Sequence, residues 1–164
     1  MKKILVLMFL VLVFVSCQKK EEANVGSTPN TAATKFERMN SAKLKEVLAS
    51  NKGNVVLINF FATWCPPCRQ EVPELIQLKN SYAGKNVVFI GLNVDETGEE
   101  TLKPFAEKVG FNYPVYLADP ELSKEYQVDA IPNSFLFSKD GKLIQNLKGY
   151  VDPGSLKGMI DALL

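Results

Sequence analysis

The run Val55-Val56-Leu57-Ile58-Asn59-Phe60-Phe61 is apolar at every position but one, and after Ala62 and Thr63 it leads into Trp64-Cys65-Pro66-Pro67-Cys68. A continuous apolar run of this length reads as a strand buried on both faces. Proline tolerates only the first turn of a helix, where its missing N–H has no intrahelical partner, so a helix is predicted to begin near Pro66. Strand, short turn and helix mouth with two thiols therefore define the centre of the chain, and such a unit belongs in a sheet covered by helices.

The rest of the chain supplies that sheet. Leu44, Val47 and Leu48 have helical spacing and stop before Gly53; residues 86–94 form a second β-rich run, and residues 99–109 read as helix. A short strand is expected at 115–117 and a short helix at 121–126. Residues 133–137 and 142–147 flank Asp140-Gly141, a hairpin signal, and a last helix is entered through Asp152-Pro153. Strands alternating with helices predict an α/β sheet, and the terminal hairpin makes it mixed. The folded domain is expected over residues 36–164, long enough to bury roughly two thirds of the surface that its unfolded chain exposes.

Ahead of it, Met1-Lys2-Lys3 is followed by an apolar run from Ile4 to Val15, then Ser16-Cys17. That run is shorter than the roughly 18–20 residues that span a bilayer, so residues 1–16 read as a secretion signal rather than a permanent anchor. Phe14-Val15-Ser16-Cys17 resembles a bacterial lipobox, with Phe14 where leucine is usual, which implies that Cys17 is lipidated. Residues 17–35, rich in Lys, Glu, Asn, Gly, Ser and Thr, have few apolar side chains to bury and read as a flexible tether. Gln18, with no aspartate in second position, favours transport onward to the outer membrane.

Charge and missing residue types narrow the chemistry. With 19 basic and 18 acidic residues the chain lacks the positive surplus that phosphate backbones select, so nucleic acid is not an expected partner. There is no histidine, which removes Ser-His and Cys-His catalysis and most zinc or copper sites. Cys65 and Cys68 could be half of a zinc site, but no second Cys-x-x-Cys or histidine completes four ligands. Redox use fits better: thiols three apart in a first helical turn can form a disulfide, and the helix N-terminus favours a thiolate on Cys65. Cys65 is then the attacking sulfur and Cys68 the more buried, resolving one.

The stretch Asn59-Phe60-Phe61-Ala62-Thr63-Trp64-Cys65-Pro66-Pro67-Cys68-Arg69-Gln70-Glu71-Val72-Pro73-Glu74-Leu75 resembles the TlpA/ResA-like family of extracytoplasmic thiol–disulfide oxidoreductases, which have a thioredoxin fold. Val128-Asp129-Ala130-Ile131-Pro132 is similar to the family's cis-proline loop. The resemblance implies that Pro132 is cis beside the cysteines, that the backbone of Ile131 pairs with a substrate strand, and that residues from about 96 to 117 are a helix-plus-strand insertion. It implies a reductant serving cytochrome c maturation or thiol repair. In minimal thioredoxins an aspartate stands where this chain has Asn59. The family instead often places a glutamate three residues after the second cysteine, where Glu71 lies; that spacing puts Glu71 on the helical face of Cys68, a candidate proton acceptor, although a solvated first-turn glutamate would have the same spacing. Trp64 and Pro66 are expected on the docking surface, with Gly149-Tyr150-Val151 a further candidate for it.

The expectation is thus an α/β thioredoxin-fold enzyme, lipid-anchored outside the cytoplasm, that exchanges its Cys65–Cys68 dithiol with protein disulfides as a monomer. It would need no metal or bound cofactor and would draw electrons from a transmembrane thiol carrier. A thiol peroxidase would need activating residues around its cysteine that are missing here, and a Cu(I)-binding module would have only two sulfurs to offer.

Overall fold

The computed structural model describes residues 35–164. The predicted signal segment, Cys17 and the tether up to residue 34 lie outside them. In chain order the elements are β1 (Arg38–Met39), α1 (Ser41–Ser50), β2 (Val55–Phe61), α2 (Pro66–Asn80), β3 (Val87–Asn93), α3 (Glu99–Val109), β4 (Val115–Ala118), α4 (Pro120–Glu125), β5 (Asn133–Phe137), β6 (Leu143–Lys148) and α5 (Pro153–Asp161). No helix among the described residues is long and apolar enough to cross a membrane.

The strands form one six-stranded sheet in the order β1-β4-β3-β2-β5-β6. The first four run parallel to one another, and β5 and β6 run antiparallel to their neighbours, giving the predicted mixed sheet. β2 lies inside it and all seven of its residues are buried, which is why its sequence does not alternate. Val56, Ile58 and Phe60 pack with Met39, Leu44 of α1 and Leu122 of α4. Val55, Leu57 and Phe61 face the other way, toward Val72 and Leu75 of α2, Leu102 of α3 and Leu156 and Ile160 of α5. Asn59 is on that second face, its polarity an exception that the site explains.

Gly91 of β3 makes room on the same face. A Cβ there would come within 3.1 Å of a Val115 methyl and 3.2 Å of the Phe61 ring, tight enough that both would have to give by a few tenths of an ångström, so the bare backbone leaves Phe61 room across β3. Phe61, Phe105, Phe111 and Tyr113 continue from it as a chain of rings with successive centroids 5.3–6.1 Å apart.

Several boundaries depart from the sequence reading: β3 is one residue shorter at each end, β4 is one residue longer, and three further differences have a local cause. β1 was not predicted; it is two residues long, too short for any period, and exists through Leu117 N–H to Glu37 O and Asp119 N–H to Met39 O, each 2.9 Å. The short helix α4 begins at Pro120, not 121, because proline takes its first position after Asp119, and Tyr126 caps it. β6 starts at Leu143, since the carbonyl of Lys142 is spent inside the turn on the N–H of Ser138, 2.9 Å away, with Gly141 at φ 77°.

This topology brings four loops to one edge of the sheet. β2 and β3 end there, antiparallel β5 begins there with Asn133 opposite Phe60, and β6 ends there with Lys148 opposite Asn133.

Candidate active site

At that edge Ala62–Cys65 forms a turn closed by the N–H of Cys65 to the carbonyl of Ala62, 3.3 Å. Cys65 is the N-cap of α2, with extended backbone, and its sulfur accepts from the N–H of Cys68 at 3.4 Å. Pro66 and Pro67 occupy the first helical positions and have no N–H, so Cys68 supplies the first backbone donor of the helix. The two cysteines form a disulfide with Cα atoms 5.3 Å apart. Cys65 keeps 3% of its surface and Cys68 none, in the expected order. Trp64 is 67% exposed, which excludes a core role and leaves it beside the disulfide as a flat apolar surface; Pro66 is exposed next to it.

The Ile131–Pro132 peptide bond is cis, as the resemblance implied. Pro132 is buried, Ile131 half-buried, and the carbonyl oxygen of Ile131 lies 3.7 Å from the sulfur of Cys65. Residues 66 places apart in sequence thus share the reacting sulfur's surroundings.

Glu71 is 1% exposed, which rules out the solvated first-turn reading. Its Oε2 accepts from the side-chain amide of Asn59 at 2.8 Å, and its Oε1 from the N–H of Val151 at 3.1 Å. Burial pushes its carboxyl up to about 7, with the negative charge of Glu74 adding to the rise, while the Val151 N–H and Asn59 amide hold it down. Asn59 also donates to the hydroxyl of Ser134 at 3.0 Å, so both hydrogens of its amide are spent while it faces the Glu71 carboxylate. A buried, hydrogen-bonded carboxyl one helical turn from Cys68 can take up or return a proton near neutral pH.

The loop after β6 takes part twice. Val151 bonds Glu71, and the hydroxyl of Tyr150 donates to Glu74 Oε2 at 2.8 Å, fixing the ring, which remains partly exposed, against α2. Ser134 escaped the sequence reading, and Val151, expected only on the docking surface, instead turns its N–H inward to Glu71; neither residue type nor spacing ties them to α2, and a buried asparagine inside an apolar strand was the available sign that a polar group must face it.

Comparison with known proteins bears on the same residues. The family model described as Redoxin matches residues 28–163. The thiol-disulfide oxidoreductase ResA of Bacillus thuringiensis subsp. konkukian is 38% identical over 133 residues, 80% of this chain and 73% of that protein. The thioredoxin-like protein YneN of Bacillus subtilis is 30% identical over 79% of this chain and 76% of its own length. Among solved structures, a thiol:disulfide interchange protein of the thioredoxin family from Chlorobium tepidum superposes with a TM-score of 0.65 at 31% identity, covering 70% of this chain and 83% of that one.

Proposed function

Because the chain belongs to the redoxin family and is a thiol–disulfide oxidoreductase of the ResA-like kind with a thioredoxin fold, we propose that it reduces protein disulfides outside the cytoplasm, held at a membrane by lipid on Cys17. The observation that carries this reading is the Cys65–Cys68 disulfide at the mouth of α2, with cis Pro132 on one side and buried Glu71 behind. The thiolate of Cys65 attacks a substrate disulfide, forming a mixed disulfide and releasing one substrate thiolate. Cys68 gives its proton to Glu71 and attacks Cys65, which restores the internal disulfide and frees the second substrate thiolate. Two electrons pass to the substrate through sulfur alone, without a bound cofactor, and a transmembrane thiol carrier returns them. Trp64, Pro66 and Ile131 form the surface on which an extended substrate segment lies, Ile131 through its backbone, whose course the buried cis Pro132 sets. We assign the chain to cytochrome c maturation or thiol repair, acting as a monomer.

A reducing rather than oxidising poise follows from how little holds a thiolate at Cys65. Pro66 and Pro67 offer no N–H, the amide of Cys68 is the backbone donor near its sulfur, and there is no histidine in the chain. A weakly stabilised thiolate favours the disulfide form. The potential is expected near that of thioredoxin, about −270 mV, and far from about −120 mV of the strongly oxidising members of the fold. Equilibration with glutathione buffers, alongside insulin reduction by the full chain, tests this; a value above about −180 mV overturns it.

The tether has its own test. Cys17→Ser is expected to leave the membrane fraction of cells and to lose lipid labelling; the variant remaining membrane-bound and processed as in wild type would refute lipidation at Cys17.

A further inference from the structure

Asp95, in the turn between β3 and α3, is only 8% exposed and lies outside the machinery described so far. Its carboxylate accepts the N–H of Thr63 at 3.0 Å, the hydroxyl of Thr63 at 2.7 Å and the hydroxyl of Thr101 of α3 at 2.9 Å. The Thr101 hydrogen is committed to Asp95, so the 2.9 Å bond between Thr97 and Thr101 is donated by Thr97. The two turns are also joined by backbone: Val94 N–H reaches Phe61 O at 2.9 Å. The N–H of Asp95 itself bonds the side chain of Asn93 at 3.2 Å, and its carbonyl accepts from Gly98 at 3.0 Å, so the acceptor is held from both sides.

Thr63 is the second residue of the turn that ends on Cys65. Its N–H points away from the 62–65 hydrogen bond, and without a partner it would be an orphaned donor at the reacting edge. We propose that Asp95 is a positioning residue for Cys65: by gripping both donors of Thr63 it sets the turn that keeps the Cys65 sulfur against the N–H of Cys68, and through Thr101 it makes α3 the brace of the active-site loop. The inference rests on the proposed nucleophile role of Cys65. A loosened turn lets that sulfur leave the helix mouth, where the N–H of Cys68 supports its anion.

The test follows alkylation of Cys65 by iodoacetamide in the reduced full chain, peptide-resolved by mass spectrometry, as a function of pH. Iodoacetamide needs no docking surface, and Thr63→Val removes only a hydroxyl, adding and deleting no titratable group. Thr63→Val is expected to move the alkylation midpoint to higher pH and to lower the rate below it about threefold to tenfold, the thiolate fraction lost for a half to one pH unit. Thr63→Ser, which keeps the hydroxyl, should stay within about twofold of wild type, and in an Asp95→Ala background Thr63→Val should change nothing further, since the two side chains act as a pair. A folded Thr63→Val protein with wild-type midpoint and rate, or Thr63→Ser as impaired as Thr63→Val, overturns the proposal. If Thr63→Val does not fold, Thr63→Ala against Thr63→Ser makes the same comparison. A wild-type chain that alkylates normally but reduces no protein disulfide would refute the oxidoreductase reading while leaving this comparison valid.

Discussion

Cys68→Ala is expected to retain the first attack on a protein disulfide and to stop there, accumulating a covalent complex through Cys65. Resolution in the wild type is intramolecular: the Cys68 sulfur sits one helical turn from Cys65 and needs no encounter. Oriented intramolecular groups reach effective concentrations of ~10⁵ M or more, against millimolar for any external thiol, so turnover should fall more than ~10³-fold. Non-reducing gels of Cys68→Ala incubated with insulin should show a stoichiometric mixed disulfide, and in cells the trapped protein identifies the substrate. The burial order supports this division of labour, since the sulfur with no exposed surface cannot meet a protein substrate first. Trapping by Cys65→Ala instead of Cys68→Ala would reverse the assignment.

Glu71→Gln is expected to separate the two steps and to change stability in a pH-dependent way. Attack by Cys65 should be untouched. Resolution should slow 10- to 100-fold, the low range of general-base contributions, because a buried thiol resists losing its proton without a receiver. Rapid mixing with a single disulfide substrate measures both steps; equal resolution rates in the two proteins between pH 6 and pH 9 would leave Glu71 without a role in proton transfer.

The stability effect has a definite sign. The carboxyl stands at about 7 in the fold against 4.5 for the free side chain, so between those values the folded protein holds a proton that the unfolded chain has lost. Wild-type stability therefore carries no penalty from Glu71 below about pH 4.5, falls as pH rises through the window, and is lowered by roughly 2–4 kcal/mol above pH 7. Glutamine does not titrate. It also fits the site, because Asn59 can turn its amide so that Oδ1, which has no hydrogen-bond partner in the wild type, accepts from the new side chain, while the Ser134 hydroxyl donates instead of accepting. Urea unfolding of the oxidised proteins should show Glu71→Gln gaining on wild type by that amount between pH 4.5 and pH 8. An unchanged difference between the two proteins at both pH values would mean that burial does not disfavour this carboxylate.

Local chemistry dictated by the amino-acid order is what the sequence determined alone. The unbroken apolar run of β2 forces a strand covered on both faces, Pro66 and Pro67 force a helix to open between the thiols, and Asp140-Gly141 and Asp152-Pro153 mark a turn and a cap through their own backbone preferences. Those signals act within a few residues, so they are readable from spacing. A resemblance to a known family added the cis bond before Pro132, which no local signal reveals. Tertiary structure decided the environment of each group. Glu71 and Glu74 lie three residues apart on α2, yet one is sealed under Asn59 and Val151 and the other holds a surface tyrosine. Their difference depends on what β2, β5 and the loop after β6 bring to the helix, and pairings across 12, 76 and 80 residues leave no periodic trace in the chain. The grip of Asp95 on Thr63, across 32 residues, has the same origin: it exists because parallel β2 and β3 end side by side, a register set by burial of the whole sheet rather than by either turn.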